Sequence, residues 1–277
     1  MPECAREFFM LNGELLPVSL FDRHFSPPAF YSYEVFRTDE GVALFLEDHL
    51  ERFFATARLA GFNPAMDGKG TQELIYRLIR KNSPGEGNIK IAAYPGRDGK
   101  LQIFIYFVVH SYPTAEQFRN GVKVDLFHAE RENPNAKVMN VRLRKETDTI
   151  KENQEVYEVL LVDRNGFITE GSRSNVFFIR NNCLITPPSG TVLMGITRKQ
   201  IMEMCSENDI PVLEKQVHHS EIGSFEGLFI SGTSRRVLPV MQAGEQMLPP
   251  VPALVYRLQL LFEQRVKLYI ALFRQQS

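Results

Sequence analysis

The sequence has no excess of charge of either sign: 32 Lys and Arg stand against 33 Asp and Glu, a net charge of -1. Without a basic field, neither nucleic acid nor an anionic membrane surface is drawn to it, and neither is expected as a partner. No apolar run reaches the roughly 20 residues that a membrane-crossing helix requires. The opening stretch MPECAREFFMLNGELL carries charges where a signal sequence needs an apolar centre. The expectation is a soluble, unprocessed, cytoplasmic protein. Cysteine is scarce: Cys4, Cys183 and Cys205 are the only three. They are far apart and form no C-x-x-C pair, which argues against a disulfide frame or a zinc site and for inert, reduced thiols. Repeats of 20 to 50 residues and low-complexity tracts are missing, which sets aside solenoids and disordered tails. So are G-x-G-x-x-G and G-x-x-x-x-G-K-[ST], leaving no support for a dinucleotide fold or a nucleoside triphosphatase.

What is present is enough for a large core, with 277 residues of which 44% are hydrophobic. Asn12-Gly13 between apolar runs signals a hairpin, and a second turn falls at Asp39 to Gly41. Leu50, Phe53, Phe54 and Ala57 follow the i, i+3, i+4, i+7 spacing of an amphipathic helix that Gly61 stops. A second helix is predicted over Thr71 to Lys81. Two long strands joined through Pro95 to Gly99 then complete an α+β domain. Pro113 and Pro134 flank a short strand, VKVDLF, in what reads as a linker, so the expected domains are 1-119 and a larger α+β domain, 120-277. In the second, a polar helix over about Val138 to Gln154 precedes three strands, EVYEVLLVD, GFITEG and SNVFFIRNNCLITPP, expected to form a meander. Helices at TRKQIMEMCSEND and from Val251 onward follow.

The candidate chemistry is weak residue by residue. Lys137 alone reads as a solvated surface lysine. Glu170 before Gly171 reads as a turn residue, and Arg52, in line with His49 and Thr56, as the wet stripe of a helix. Gly195 says more, because it leads a loop into a helix whose first turn offers the free N–H groups of Ile196 and Thr197 to a phosphate. Ser231-Gly232-Thr233-Ser234 offers close backbone approach and hydroxyl donors, or else a plain turn.

The order of these residues resembles the fold type IV pyridoxal-phosphate enzymes, which include branched-chain and D-amino acid aminotransferases and aminodeoxychorismate lyase. The matching features are Tyr33-Glu34, His49-x-x-Arg52, Lys137-x-x-Asn140, Glu170-Gly171 with Asn175, Gly195-Ile196-Thr197-Arg198, and Gly232-Thr233 ahead of Pro239-Val240. Lys137 precedes Glu170 by 33 residues, in keeping with that family. The resemblance implies a two-domain α+β fold, pyridoxal 5'-phosphate as cofactor, an amino acid and a 2-keto acid as substrates, and a homodimer. It implies that Lys137, on the C-terminal domain, holds the cofactor and moves a proton. Glu170 would face the ring nitrogen, with Gly171 making room for the flat ring. Arg52, Gly195, Ile196, Thr197 and Thr233 would hold the phosphate, and Tyr33 and Ser234 would meet the substrate. The sequence departs from the pattern in three places. Arg142 replaces a tyrosine found in some aminotransferases. The strand at NIKIAAYPGRDG lacks the Arg-Gly and histidine elements of D-amino acid enzymes, leaving Arg97 as a substitute. Arg173, Arg235 and Arg236 are either surface charge or the partner of a second substrate carboxylate. The resemblance implies branched-chain-like amino transfer or, as the alternative, the lyase reaction that releases pyruvate and 4-aminobenzoate; a remoter alternative is a non-catalytic binding module that has kept only the fold.

Overall fold

The computed structural model describes residues 3–62, 66–83, 85–96, 98–131 and 133–276. In chain order the elements are β1 (Phe8–Leu11), β2 (Glu14–Pro17), α1 (Phe21–His24), β3 (Phe30–Asp39), β4 (Val42–Ala43), α2 (Leu46–Leu59), α3 (Gly68–Lys81), β5 (Gly87–Pro95), β6 (Leu101–Val108), α4 (Ala115–Asn120), β7 (Val122–His128) and β8 (Val138–Asn140). There follow α5 (Val141–Asn153), β9 (Glu158–Val162), β10 (Phe167–Gly171), β11 (Asn175–Arg180), β12 (Cys183–Thr186), α6 (Ile196–Glu207), β13 (Val212–Glu214), β14 (Val217–His218), β15 (Gly227–Gly232), β16 (Arg236–Ala243), β17 (Gln246–Met247) and α7 (Ala253–Gln276). The chain divides into two compact units, Met1–Ser111 with Ala136–Val141 and Val266–Ser277, and Tyr112–Asn135 with Arg142–Arg265.

The first unit is built on a seven-stranded sheet in the order β2-β1-β6-β5-β3-β4, with β8 added to β3. The two predicted hairpins are there, and Asn12 and Gly13 adopt the positive φ angles (50° and 89°) that a two-residue turn demands. Along β3, side chains alternate. Phe36 faces a core with Leu46, Leu50 and Phe53 of α2 and Ile75 and Leu78 of α3, while Tyr31 and Tyr33 face an aromatic core with Phe9, Tyr94, Phe104 and Tyr106. β8 runs antiparallel to β3 with Met139 opposite Tyr31. That pairing groups Lys137 with the N-terminal sheet, whereas the sequence had it in a domain beginning at 120.

The second unit contains a ten-stranded mixed sheet, β13-β12-β11-β15-β16-β7-β9-β10-β14 with β17 on β16. Two expectations change here. The supposed linker strand is β7, an interior strand parallel to both β16 and β9. Its parallel pairing with β9 needs a long crossover, and α5 lies in it. The three-strand meander does not form either: β10 pairs with β9 and β14, while β11 pairs with β12 and β15. The turn at 171–174 separates β10 from β11, keeping one isolated bridge between Gly171 and Ser174.

Candidate active site

On the first unit, the cluster begins with a carboxylate that has no exposure at all. Glu34 of β3 accepts from Arg52 Nε at 2.9 Å and Arg52 Nη2 at 2.7 Å. His49 Nδ1 lies 3.1 Å from it, and the Val35 N–H donates at 2.9 Å. The sequence puts these groups together through helical spacing, since His49 and Arg52 lie three residues apart on one face of α2. Burial alone would push the Glu34 carboxyl up; Arg52, His49 and Lys137 together hold it well below the carboxylate range. Burial, with help from Arg52 and Lys137 and against Glu34, lowers the His49 imidazole. A neutral His49 beside an ionised acceptor donates through Nδ1–H. Lys137 enters at the edge strand. Its backbone N–H reaches Thr56 Oγ1 at 3.3 Å, its carbonyl accepts from Tyr33 N–H at 3.1 Å, and its Nζ lies 4.9 Å from the centre of the Tyr33 ring.

On the second unit, Glu170 is the penultimate residue of β10 and is 3% exposed. Arg131 Nε meets one of its oxygens at 2.9 Å, and the Leu193 N–H points at the other from 3.4 Å. Arg131 also donates to the Ser172 carbonyl at 3.2 Å, fixing the turn that follows. A Cβ on Gly171 would lie 2.0 Å from Ser174 Oγ. The space that glycine leaves is therefore filled by the turn itself, not reserved for a ring.

The helix α6 starts at the N-cap Gly195 with no side-chain cap, so its first N–H groups lack the usual hydroxyl or carboxylate acceptor. Ile196 and Thr197 are buried there. A Cβ on Gly195 would stand 2.1 Å from Asn175 Oδ1, and Asn175 Nδ2 donates to the Leu193 carbonyl at 2.8 Å. Asn175 is also opposite Ser231 in the sheet. The helix start, Asn175 and the Ser231–Ser234 step are thus neighbours. Ser231 Oγ is buried and has no hydrogen-bond partner among the described residues. Thr233 and Ser234 lie in the turn that the Arg235 N–H closes onto the Gly232 carbonyl at 3.1 Å.

The arginines sort themselves by partner. Arg235 forms a 3.0 Å ion pair with Glu158, a fully buried carboxylate that also accepts from Ser172 Oγ at 2.6 Å and Ser174 Oγ at 3.1 Å. Neither surface charge nor a vacant substrate partner describes it. Arg173 is paired with Asp148 where both are about one-third exposed. Arg142 projects into solvent, 88% exposed, on Glu146. Arg236 adopts a positive φ of 53° at the start of β16. Arg97 lies outside the described residues.

Sequence reasoning missed Arg131, the Glu158–Arg235 pair and Lys90. Lys90 of β5 is 5% exposed, and its Nζ donates to Glu3 Oε1 at 2.5 Å and Tyr31 OH at 2.8 Å. No local period signals such pairs. The cysteines are free, and burial raises the thiol of Cys4 and pushes that of Cys205 up to about 12. Among the described residues no cluster fit to hold a metal ion occurs, and no helix is long and apolar enough to cross a membrane.

A D-alanine aminotransferase of Bacillus licheniformis is 26% identical over 219 residues, covering 75% of this chain and 77% of the relative. The branched-chain amino acid aminotransferase of Escherichia coli superposes with a TM-score of 0.82 at 21% identity, over 92% of this chain and 93% of the other. A structure titled putative 4-amino-4-deoxychorismate lyase, from Legionella pneumophila, superposes with a TM-score of 0.76 at 20% identity, over 84% and 90%. The fold is that of the fold type IV transaminases. The family model for amino-transferase class IV matches residues 32–243, a span that contains Tyr33, Arg52, Lys137, Glu170, Gly195 and Thr233. The chain belongs to the class IV amino-transferase family.

Proposed function

We propose that the protein is a pyridoxal-phosphate-dependent aminotransferase that passes an amino group from an amino acid to a 2-keto acid. The observation that carries the proposal is the company kept by Glu170: a buried acid paired with Arg131, on the same unit as a helix start with no side-chain cap and a buried hydroxyl, that of Ser231, with no hydrogen-bond partner among the described residues. These match the cofactor's two polar ends. A ring nitrogen needs a carboxylate held in its ionised form, and a dianionic phosphate needs N–H and O–H donors at the positive end of a helix. When bound, the cofactor supplies an aldehyde for an amine to hold and a sink for the electrons released at the substrate's Cα.

Lys137 supplies that amine through Nζ, and later accepts the proton from the substrate's Cα and returns one to the product. Glu170 keeps a proton on the ring nitrogen, with Arg131 fixing the direction of its carboxylate. The backbone of Gly195, Ile196 and Thr197, together with Thr233, holds the phosphate. Arg52 is the remaining phosphate candidate; its fork already rests on Glu34, so its proposed share is charge carried at one edge of that pair. Tyr33 places its ring against Lys137 and, with Ser234, is proposed to border the substrate. The proposed assembly is a homodimer.

The test is a panel of amino donors and keto acids, with aminodeoxychorismate included, run on protein saturated with pyridoxal phosphate. Amino transfer to a keto acid, with borohydride fixing the cofactor on Lys137, is expected. An unlabelled Lys137 overturns the site assignment. Pyruvate formed from aminodeoxychorismate without an amino acceptor would favour the lyase reading, for which the likeness to the Legionella structure speaks.

A further inference from the structure

Two turns of the second unit carry groups assigned above, and one buried ion pair joins them. The first turn, 171–174, follows Glu170; the second, 232–235, holds Thr233 and Ser234. The ladder between β11 and β15 brings the two turns side by side, since its last pair is Asn175 with Ser231. The ladder stops there. Arg235 ties the turns beyond it: its N–H closes the second turn on the Gly232 carbonyl at 3.1 Å, and its Nη1 donates to the Arg173 carbonyl of the first at 3.2 Å. Its Nη2 meets Glu158 Oε2 at 3.0 Å.

Glu158, the first residue of β9, holds the rest of the first turn. Its Oε1 accepts from Ser172 Oγ at 2.6 Å and from the Val159 N–H at 3.0 Å, and its Oε2 accepts from Ser174 Oγ at 3.1 Å. The Ser172 N–H donates to the Val159 carbonyl at 2.8 Å. Residues 172 to 174 are thus each fixed by the start of β9 or by Arg235. The packing leaves little slack: a Cβ on Gly171 would stand 3.2 Å from Glu158 Cγ, and one on Gly232 would stand 3.3 Å from the Arg173 carbonyl oxygen. Burial alone would raise the Glu158 carboxyl, but Arg235, Ser172 and the Val159 amide hold it below the usual range, so it stays an anion. The Arg235 guanidinium lies 5.4 Å from the centre of the Tyr157 ring. For stability alone, an apolar pair of similar volume often serves a fold as well as a buried ion pair. What arginine adds is direction, because one planar fork addresses a carboxylate and a carbonyl on different segments at fixed angles.

We propose that Arg235, acting through Glu158, is a positioning residue: it fixes the turn after Glu170 relative to the turn of Thr233, and so keeps the ring-nitrogen acid and the phosphate donors in register for one cofactor molecule. The inference rests on the assignment of Glu170 and Thr233 to the two ends of pyridoxal phosphate. A ligand gripped at both ends gains affinity from holders set in advance at the right spacing. One gripped at a single end is indifferent to that spacing.

The experiment compares full-length wild type, Arg235→Lys, Arg235→Met and the double variant that joins Glu158→Gln to Arg235→Met. It measures by equilibrium dialysis the Kd of pyridoxal 5'-phosphate and of pyridoxal, which lacks the phosphate, with Tm and the phosphorus NMR shift of the bound phosphate recorded for each. The double variant removes both charges together, so its Tm without cofactor should stay close to that of wild type. Its affinity for pyridoxal 5'-phosphate should fall about tenfold or more while that for pyridoxal changes by less than about twofold, and the phosphorus shift should move. Arg235→Lys keeps a charge for Glu158 but loses the fork, so its selective loss should be smaller. If Arg235→Met or the double variant fails to fold, Arg235→Lys decides by the same ratio of the two ligands. An equal loss for both ligands, or a change within about twofold for each, would overturn the proposal and leave the pair as a tie in the fold. A wild type that does not prefer pyridoxal 5'-phosphate to pyridoxal, or that takes no borohydride label on Lys137, would be a failure of the cofactor assignment instead.

Discussion

Glu34 in the first unit and Glu170 in the second are both buried acids held by an arginine, but the arginine reaches them differently. Glu34 receives both prongs of Arg52, an imidazole and a backbone amide. Glu170 receives one nitrogen of Arg131 at 2.9 Å and a long contact from Leu193 at 3.4 Å. Glu34 meets both prongs of a guanidinium presented by a helix, whereas Glu170 meets its arginine beside the turn that follows β10. Both acids hold an arginine in the fold; Glu170 alone is the proposed partner of a ring nitrogen.

The largest expected effect is at Glu34. Glu34→Gln leaves the Arg52 guanidinium without its counter-charge, and breaking such a buried pair costs about 3–5 kcal/mol. Chemical denaturation should show that loss. The pH dependence follows from the depressed Glu34 pKa. Its stabilisation is fully present above the ordinary value of 4.5 and is lost as pH falls below it toward the folded value. The stability gap between wild type and Glu34→Gln should therefore be flat at neutral pH and close in acid. A gap that stayed constant as pH fell below 4.5 would break the comparison.

At Glu170 the same substitution should act on rate. Glu170→Gln removes an oriented charge from the proposed ring-nitrogen position, and losses of this kind run to about 10²–10³ in kcat. Denaturation should also show a loss, since Arg131 is left without its counter-charge, and borohydride should still fix the cofactor on Lys137. If Glu170→Gln loses stability and keeps its rate, the two acids have been assigned the wrong way round.

Part of the fold is legible in the sequence. Asn12-Gly13 and Asp39 to Gly41 announce hairpins because their backbones require positive φ, a local property that residue type reveals. Lys137, Glu170, Arg52 and Gly195 were legible as an ordered set. What local pattern does not carry is the partner. VKVDLF reads as a strand, yet nothing in it says that β16 and β9 will flank it in parallel. Lys90 sits in an alternating strand where a lysine ordinarily marks the solvent face, and its carboxylate lies 87 residues away at Glu3. Arg235 reads as surface charge until Glu158 of another strand is seen beneath it. Sequence shows which residues carry chemistry; three-dimensional pairing shows which of them are already committed.

A third substitution tests the helix start in the second unit. Gly195→Ala puts a methyl group 2.1 Å from Asn175 Oδ1, and Asn175 is held by its 2.8 Å bond to Leu193. Overpacking of this sort costs about 1–3 kcal/mol. Because the proposed phosphate donors follow directly, pyridoxal phosphate should bind more weakly than in wild type, measured by equilibrium dialysis. Unchanged cofactor affinity beside a lowered Tm would confine Gly195 to packing.

The smallest effect is expected at Arg173, which is committed to a carboxylate like Arg52 but lies at the surface. Its partner Asp148 is about as exposed as Arg173 itself, so water screens the pair and replaces it readily when broken. Exposed ion pairs contribute about 0–1 kcal/mol. Arg173→Ala should therefore cost less than about 1 kcal/mol, less still at high salt. If Arg173 serves only Asp148, KM for 2-oxoglutarate and for a branched-chain keto acid should both stay near wild type. A rise in KM confined to 2-oxoglutarate would show that Arg173 leaves Asp148 for the second carboxylate of the substrate. Commitment to a partner in the resting protein would then distinguish fold from function only where the pair is buried, as at Glu34, and not where water already competes for it.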